Sequence, residues 1–350
     1  MESISIRTNM EKYNSLNAST RKILCVGLCC LDIISEVKEF PHEDTDQRCL
    51  DQRWQRGGNA ANNSTVLGLL GAKPYYLGTI ADSHEKSYLQ TLGTYALYLL
   101  NEEEIILSGA NYYPAGCALK SVELSSPLLI DCSKSVDRMI KGRFEPLLLR
   151  TDSIGYYYGR NVANVSEMMK YVNRHNEEQV KLEEITVRVS VEIEKAKPEL
   201  ECLIPLADVV FVAKDYAQYK GYTDMKDTIE NIRKNAKKGA VIICPWGEKG
   251  ASAKEENESL VSSPAFPPEK VVDTLGAGDT FNGATIFALN KGHNLKDAIT
   301  FGCRVAGAKV GQRGWGTLKD TIKYLNESLP SVQSPTSNDV ELSKSTSNDS

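Results

Sequence analysis

The sequence lacks the features that mark membrane-spanning, secreted or nucleic-acid-binding proteins. No apolar run reaches the roughly 18 residues that a spanning helix needs. Residues 1–22 are polar and contain no apolar core of a secretory signal. Lys and Arg total 41 against 46 acidic residues, a net charge of −5, whereas general nucleic-acid binders usually carry a basic excess. We therefore expect a cytoplasmic protein with neither nucleic-acid nor membrane partners.

Histidine and paired cysteines are also scarce. The nine cysteines are odd in number, and none shows zinc-ribbon or C-x-x-C spacing. Cys25 and Cys244 fall inside apolar, strand-like runs, where cysteine behaves as a small hydrophobe. The four histidines are scattered, so a histidine metal site or triad has little support. The pattern predicts reduced thiols and no direct protein ligand to a metal.

Short apolar runs alternate with helix-like segments between two polar tails. Asn59–Leu70 is predicted to be a helix that ends at Gly71, a residue type favoured just after a helix. Continuous β-branched runs, each followed by a plausible helix, are typical of a parallel sheet covered on both faces. The predicted class is therefore a three-layer αβα protein with a mainly parallel central sheet. The predicted strands are 23–28, 74–78, 154–158, 186–191, 208–212 and 240–244.

Two stretches break this alternation, and both ends differ in composition from the body. Residues 34–56 and 105–135 contain short strand-like pieces without a good helix, which predicts a small β-sheet lid beside the main body. The ends, 1–21 and 328–350, are rich in Ser, Asn and Thr and are predicted to be disordered. One catalytic domain over 22–327 is the expected organisation.

The most informative segment is a glycine-rich turn, Asp273-Thr-Leu-Gly-Ala-Gly-Asp-Thr-Phe-Asn282. It is predicted to follow a strand over 270–272 and to open a helix. First-turn amides of a helix have no internal partners, so together with the helix dipole they bind phosphate. A first-turn carboxylate at Asp279 could accept a proton from a hydroxyl that attacks a phosphoryl group. The alternative is that Asp279 only caps the helix.

This turn resembles the C-terminal signature of the ribokinase-like, pfkB-type carbohydrate kinases. Longer blocks resemble a fructose-phosphorylating branch of that family and extend the resemblance over about residues 22–315. They are Cys49-Leu-Asp-Gln-Arg-Trp-Gln-Arg-Gly-Gly-Asn-Ala, Val189-Ser-Val-Glu-Ile-Glu-Lys, Val209-Val-Phe-Val-Ala-Lys-Asp and Phe301-Gly-Cys-Arg-Val-Ala-Gly. The resemblance implies transfer of phosphate from ATP, with Mg²⁺, to a sugar hydroxyl, D-fructose yielding fructose 1-phosphate. K⁺ is a further candidate ion, and a homodimer formed through the lids is implied.

The resemblance also assigns roles to individual residues of this chain. Asp279 corresponds to the base that deprotonates the hydroxyl, and the amides of Gly276, Ala277 and Gly278 correspond to the anion hole. The residues that match sugar contacts are Asp32, Gly58, Asn59, Asn62 and Asp279. The residues that match the ATP site are Gly247, Glu248, Lys249 and Gly250, with Gly276, Ala277, Gly278 and Asp279. Glu192, Glu194 and Lys214 are candidate neighbours of magnesium and phosphate.

The residues themselves leave alternatives open at several of these positions. Asn59 and Asn62 are three apart and share a helical face, but Asn59 could equally be a plain N-cap. Asp32 could be a loop or capping residue. Glu192 and Glu194 alternate along an extended run and so share a face, although a salt bridge with Lys195 or Arg188 would also explain them.

Two departures from the family pattern affect the expected rate. Pro127 replaces a lid arginine that reaches ATP phosphate in the relatives, and Lys134 nearby is a candidate to compensate. Tyr158 replaces a glutamate that holds magnesium-bound water. Because one electrostatic group can contribute roughly 3 to 4 kcal/mol to a transition state, we expect an active but slow or altered kinase. A sibling kinase for another sugar or a nucleoside, and a binding protein without turnover, remain the alternatives.

Overall fold

The computed structural model describes residues 22–28, 30–39, 42–72, 74–82, 112–114, 147–151, 162–181, 187–316, 318–327 and 329. The N-terminal 21 residues, most of 105–135, Tyr158 and the segment beyond 329 lie outside this set, so the predictions for them stay predictions. Within the described residues, no helix is long and apolar enough to cross a membrane.

A twisted central sheet forms the middle layer of the molecule. Its strand order is β11-β10-β9-β8-β7-β6-β1-β4-β5, parallel from β9 through to β5 and antiparallel at β10 and β11. The parallel strands are apolar along their length because helices cover both faces. The strands of this sheet are β1 (Lys22–Leu28), β4 (Pro74–Asp82), β5 (Tyr112–Pro114), β6 (Leu147–Thr151), β7 (Arg188–Ile193), β8 (Val209–Val212), β9 (Val241–Pro245), β10 (Ala251–Lys254) and β11 (Val261–Ser263).

Helices pack on the two faces in separate layers. The helices are α1 (Asn59–Leu69), α2 (Val162–Lys181), α3 (Lys214–Tyr219), α4 (Met225–Arg233), α5 (Ala277–Asn290), α6 (Leu295–Val310) and α7 (Leu318–Glu327). One hydrophobic core joins α1, α5, α6 and α7 to alternate strand residues such as Cys25 and Phe211. The other joins α2, α3, α4 and a 3₁₀ segment (Pro198–Leu206) to the intervening strand residues, such as Val210 and Cys244. The predicted three-layer arrangement is confirmed.

A separate antiparallel pair stands apart from the central sheet. Strand β2 (Cys30–Glu36) pairs with β3 (Asp51–Gly57), with Asp32 opposite Gln55 and Ile33 opposite Trp54. This two-stranded sheet is consistent with the lid predicted over 34–56. Of the second predicted lid segment, the structure describes only Tyr112–Pro114, which pairs with β4 and so continues the central sheet.

Several local predictions are confirmed by the described backbone. Helix α1 ends as predicted, since Gly71 has φ 87° and the amides of Gly71 and Ala72 donate to the carbonyls of Gly68 and Leu67. These two bonds form a Schellman motif. Cys25 and Cys244 are free thiols that lie buried within their strands, as predicted. Burial raises the pKa of Cys244 to about 12.

One strand prediction lies outside the described residues, and two further local predictions were wrong. Strand β6 lies at 147–151, whereas the predicted run 154–158 is outside the described residues. Residues 270–272 form no strand, because the amides of Val272 and Asp273 both donate to the carbonyl of Val310 at the end of α6. No helix follows β9; a 3₁₀ turn (Gly247–Lys249) leads directly into the antiparallel strand β10.

Candidate active site

The glycine-rich turn ends in the first turn of α5, as predicted. Gly276 is the N-cap residue with φ 75°, in the left-handed region that favours glycine. The amide of Thr280 makes the first intrahelical bond, to the carbonyl of Gly276 at 2.9 Å. Gly278 and Asp279 come before Thr280 in the first turn of α5, so their amides are positioned to bind an anion. The amide of Ala277 also donates to the carbonyl of Thr274, at 3.1 Å.

Asp279 lies in the first turn of α5 and contacts α1. Its Oδ2 accepts a hydrogen bond from Nδ2 of Asn62 at 2.8 Å. Asp279 is not the capping residue of α5, because Gly276 holds that position without a side-chain bond. The Oδ1 atom of Asn62 is buried and has no hydrogen-bond partner among the described residues. A buried acceptor of this kind requires a donor, such as water or a ligand hydroxyl.

A second set of polar contacts joins α1 to β7 and α5. Nδ2 of Asn59 lies 3.4 Å from Oε2 of Glu192 and 3.1 Å from Oε2 of Glu194, so these carboxylates share a face as predicted. Nδ2 of Asn282 donates to Oε1 of Glu192 at 2.7 Å. Nζ of Lys195 lies 2.6 Å from Oε1 of Glu194, so the salt bridge considered as the alternative role of Glu194 is also present. Asn59 is not an N-cap, because Gly58 occupies that position in α1.

Asp32 is brought to the same region by β2. A Cβ placed on Gly57 would overlap the carboxylate of Asp32, so this aspartate packs against the glycine pair that precedes α1. Gly58 has φ 96°, which a residue with a side chain rarely adopts. The two glycines therefore allow Asp32 to lie close to the start of α1, which carries Asn59 and Asn62.

The predicted ATP segment forms the turn between β9 and β10. Gly247 and Gly250 both have positive φ, at 55° and 85°. A Cβ on Gly250 would also lie 2.6 Å from the carbonyl carbon of Pro264. Nζ of Lys214, at the start of α3, lies 3.2 Å from Oε1 of Glu248, which brings two predicted residues together. Hydrogen bonds from its own amide and from Lys214 lower the pKa of Glu248.

Sequence reasoning did not assign a role to the polar cluster behind the glycine-rich turn. Asp273 is buried, and its carboxylate accepts bonds from the amides of Leu275 (3.0 Å) and Gly314 (3.1 Å). Nζ of Lys309, which is fully buried, lies 3.2 Å from the same carboxylate. Although burial opposes ionisation, these bonds and the Lys309 charge hold the pKa of Asp273 below its ordinary value. Burial also lowers the pKa of Lys309, against the raising effect of Asp273.

Three further residues near the turn were missed, and only one had a sequence signal. Asn282 follows Asp279 by three positions and so shares its helical face. Trp315 packs over Gly276, where a Cβ would lie 2.6 Å from its ring, and its Nε1 donates to Oγ1 of Thr280 at 3.2 Å. Arg53 reaches Asp273 from β3. The last two contacts join segments far apart in the chain, which no local pattern indicates.

The described acidic side chains suit a water-mediated magnesium site better than a closed cage. Among the described residues, no group of three or more His, Cys, Asp or Glu side chains could hold a metal ion. Mg²⁺ usually keeps several waters and binds through one or two carboxylates together with substrate phosphates. Glu192 and Glu194, held side by side through Asn59, fit that requirement.

Comparison with known proteins shows the family to which the chain belongs. The model of the pfkB family carbohydrate kinases matches residues 162–322. Ketohexokinase of Mus musculus is 40% identical over 295 residues, 84% of this chain and 98% of the mouse protein. Cytidine kinase of Thermococcus kodakarensis is 23% identical over 274 residues, 76% and 91% of the two chains.

The solved structures show the same fold. Ribokinase from Giardia lamblia matches with a TM-score of 0.64 at 15% identity, covering 88% of this chain and 99% of that structure. The predicted ribokinase-like fold and the resemblance to ketohexokinase are confirmed. This chain belongs to the pfkB family of carbohydrate kinases and is an ATP-dependent sugar kinase.

Proposed function

We propose that this sugar kinase transfers the γ-phosphoryl group of ATP to D-fructose and forms fructose 1-phosphate. The observation that carries the proposal is the position of Asp279, which lies in the first turn of α5 and is bonded to Asn62 at 2.8 Å. A carboxylate beside unpaired helix amides can take a proton from a hydroxyl while the amides stabilise the transferring phosphoryl group. The 40% identity to a protein named ketohexokinase supports a ketohexose as the acceptor.

In this mechanism each group near the turn has one task. Asp279 removes the proton from the attacking hydroxyl, and the oxygen then bonds to the γ-phosphorus as the bond to the ADP oxygen breaks. The amides of Gly276, Ala277 and Gly278 are assigned to the anion hole, which requires the Ala277 amide to exchange or share its bond to Thr274. Removing one such donor typically lowers kcat by a hundredfold or more, or about 3 kcal/mol.

The sugar is proposed to lie between β2 and the start of α1. Asp32 can accept bonds from two hydroxyls, and the backbone at Gly58 allows a close approach. The amides of Asn59 and Asn62 both donate and accept, which suits a polyol. Oδ1 of Asn62 supports this placement, because it needs a donor that the described residues do not supply.

ATP is proposed to lie along the turn between β9 and β10 and to extend to α5. Gly247, Glu248, Lys249 and Gly250 would line it, and Lys214 is the candidate phosphate neighbour. When bound, Mg²⁺ would neutralise the phosphate charge, with Glu192 and Glu194 holding its waters. A requirement for K⁺ is also proposed, and replacing K⁺ by Na⁺ in the turnover assay tests it.

The two departures from the family pattern lie outside the described residues and govern the expected rate. With Pro127 in place of an arginine and Tyr158 in place of a glutamate, we expect a kcat at least about tenfold below that of the relatives. Replacing Pro127 with arginine is expected to lower the KM for ATP. No effect of that change on KM or kcat would show that Lys134 or another group already supplies the contact.

The test is the identity of the product. ³¹P NMR of a reaction with Mg-ATP and D-fructose is expected to show fructose 1-phosphate and ADP. A phosphorylated product only from ribose, cytidine or another member of a sugar and nucleoside panel would favour the sibling kinase, as the cytidine kinase relative suggests. Binding of fructose without any product would favour a catalytically impaired binding protein.

We also propose a homodimer formed through the two-stranded sheet. Ile33 is 55% exposed and Trp54, directly opposite it, is 41% exposed. Such an apolar cross-strand pair on an exposed face suits contact with a second copy. Sedimentation of the parent should give a dimer and that of Trp54→Glu a monomer; a monomeric parent would overturn the proposal.

The free thiols support a cytoplasmic location.

A further inference from the structure

Asp273 is a junction at which four separate segments of the chain meet. Its Oδ1 accepts from the amide of Leu275 in the glycine-rich turn. Its Oδ2 accepts from the amide of Gly314 and lies 3.2 Å from Nζ of Lys309, at the end of α6. Nη2 of Arg53, from the middle of β3, lies 3.3 Å from the same oxygen. One buried carboxylate thus holds the turn, α6 and the two-stranded sheet together.

The charges at this junction make the Arg53 contact more than a surface ion pair. The Asp273 side chain is 7% exposed and that of Arg53 26% exposed, so solvent screens the pair only partly. Lys309 also donates to the carbonyl of Asp273 at 2.9 Å, so we expect it to stay beside Asp273 when Arg53 is replaced. Loss of the Arg53 guanidinium would therefore leave the Asp273 carboxylate paired with Lys309 but remove its ion pair with the two-stranded sheet.

The position of Arg53 on the sheet links this contact to substrate binding. Arg53 lies opposite Ile34, and Ile34 is two residues from Asp32 along β2. Because alternate residues of a strand share a face, Asp32 and Arg53 lie on the same face of the two-stranded sheet. Asp32 is the proposed sugar contact, whereas Asp279 follows the turn that Asp273 holds. The contact between Arg53 and Asp273 therefore joins the sheet that carries the proposed sugar contact to the turn that leads to the proposed base.

We infer that Arg53 is a positioning residue, which through Asp273 fixes the sheet that carries Asp32 relative to the turn that carries Asp279. This inference rests on the proposed function for its kinetic consequence. A misplacement of about 1 Å can cost a hundredfold in rate, because the reacting atoms no longer meet in line. The proposed ATP segment at 247–250 forms the turn between β9 and β10 of the central sheet and is not part of the β2–β3 pair, so the KM for ATP is expected to change little.

A second arginine provides a matched control. Nη2 of Arg313 lies 2.8 Å from Oε2 of Glu36, and Nη1 lies 3.1 Å from Oδ2 of Asp51, at the outer end of the same sheet. These side chains are about half exposed, and such exposed pairs contribute little. Arg313→Gln removes a double ion pair to the sheet without touching Asp273. Arg53→Lys keeps the charge at Asp273 with a shorter reach.

The experiment measures kcat and KM for both substrates in Arg53→Gln, Arg53→Lys and Arg313→Gln. We expect kcat/KM for fructose to fall about tenfold to a hundredfold in Arg53→Gln, with the KM for ATP within about twofold of the parent. The lysine variant should recover part of the loss, and Arg313→Gln should stay within about twofold. An unchanged kcat/KM for fructose in Arg53→Gln, or a rise in the KM for ATP as large as the loss in kcat/KM for fructose, would overturn the inference.

Hydrogen exchange gives a readout that does not need turnover. Amides of residues 30–36 and 51–57 should exchange at least about tenfold faster in Arg53→Gln than in Arg313→Gln, because the sheet is released from Asp273. Equal exchange in the two variants would overturn the inference even if the parent lacks kinase activity. An inactive parent with the expected exchange would contradict the proposed function alone. If the glutamine variant does not fold, Arg53→Lys against Arg313→Lys provides the same comparison.

Discussion

The two glycines of the glycine-rich turn, Gly276 and Gly278, are expected to respond oppositely to alanine. Gly276 is held at φ 75°, and a Cβ there would lie 2.6 Å and 2.9 Å from two ring atoms of Trp315. Trp315 cannot yield freely, because its Nε1 is bonded to Thr280 and the ammonium of Lys309 lies 5.6 Å from its ring centroid. A left-handed alanine costs about 1 to 2 kcal/mol and overpacking about 1 to 3, so Gly276→Ala should lose about 3 kcal/mol.

Gly278 differs because nothing lies within 4 Å of a Cβ placed there. Gly278 is the second residue of α5, where exchanging glycine for alanine should gain up to about 1 kcal/mol, or about 1 to 2 °C in Tm. The Cα–Cβ bond of a helical residue tilts toward the N-terminus, which here is the proposed phosphate side. The added methyl group should therefore lie where the transferring phosphoryl group approaches the amide.

The combined result separates a structural glycine from a functional one. Gly278→Ala should fold at least as stably as the parent by thermal unfolding, yet its kcat should fall about a hundredfold, as for loss of one anion-hole donor. Gly276→Ala should lose stability and activity together. Full activity with an unchanged KM for ATP in Gly278→Ala would refute the placement of the phosphoryl group at this helix end.

Two further predictions concern stability rather than catalysis. Gly302→Ala should lower the free energy of unfolding by about 2 kcal/mol in chemical denaturation, since its Cβ would overlap Oγ1 of Thr285 and lie 2.9 Å from the ring of Phe281 between α5 and α6. Gly316→Ala, with open space around its Cβ, should change the free energy of unfolding by less than about 0.5 kcal/mol. Equal effects of the two substitutions would contradict the packing account. Burial lowers the pKa of His293 below 6.5, so the unfolded chain takes up this proton more readily and stability falls as the pH drops below that value. His293→Gln should therefore lose less Tm than the parent between pH 7 and about pH 5, and an identical loss would refute this assignment.

The features that the sequence predicted are those encoded by neighbouring residues. Helix α1 and its end at Gly71 follow from one apolar stretch and one glycine, and the first turn of α5 follows from the Gly276–Gly278 motif. A small β-sheet was expected over 34–56 from the lack of a good helix there, and that stretch contains β3 and the end of β2. In each case the signal lies within about a dozen residues, where local propensity and pattern decide the structure.

The features that the sequence could not predict depend on contacts between distant segments. Residues 270–272 have the composition of a strand, but the amides of Val272 and Asp273 donate to the carbonyl of Val310 instead of to a neighbouring strand. Lys309 is a charged residue with no exposed surface, and its burial makes sense only once Asp273 is beside it. Arg53 had no visible role until β3 was placed next to the glycine-rich turn.

The central claim, that Asp279 is the base for phosphorylation of fructose, is tested most directly with Asp279→Asn. We would measure ADP release from Mg-ATP with and without D-fructose, together with calorimetric binding of both ligands. The account predicts fructose-dependent release by the parent and at least about a hundredfold lower kcat in the variant, with both ligands still bound. Turnover by the variant at the parent's rate, or no fructose-dependent release by the parent despite fructose binding, would contradict it.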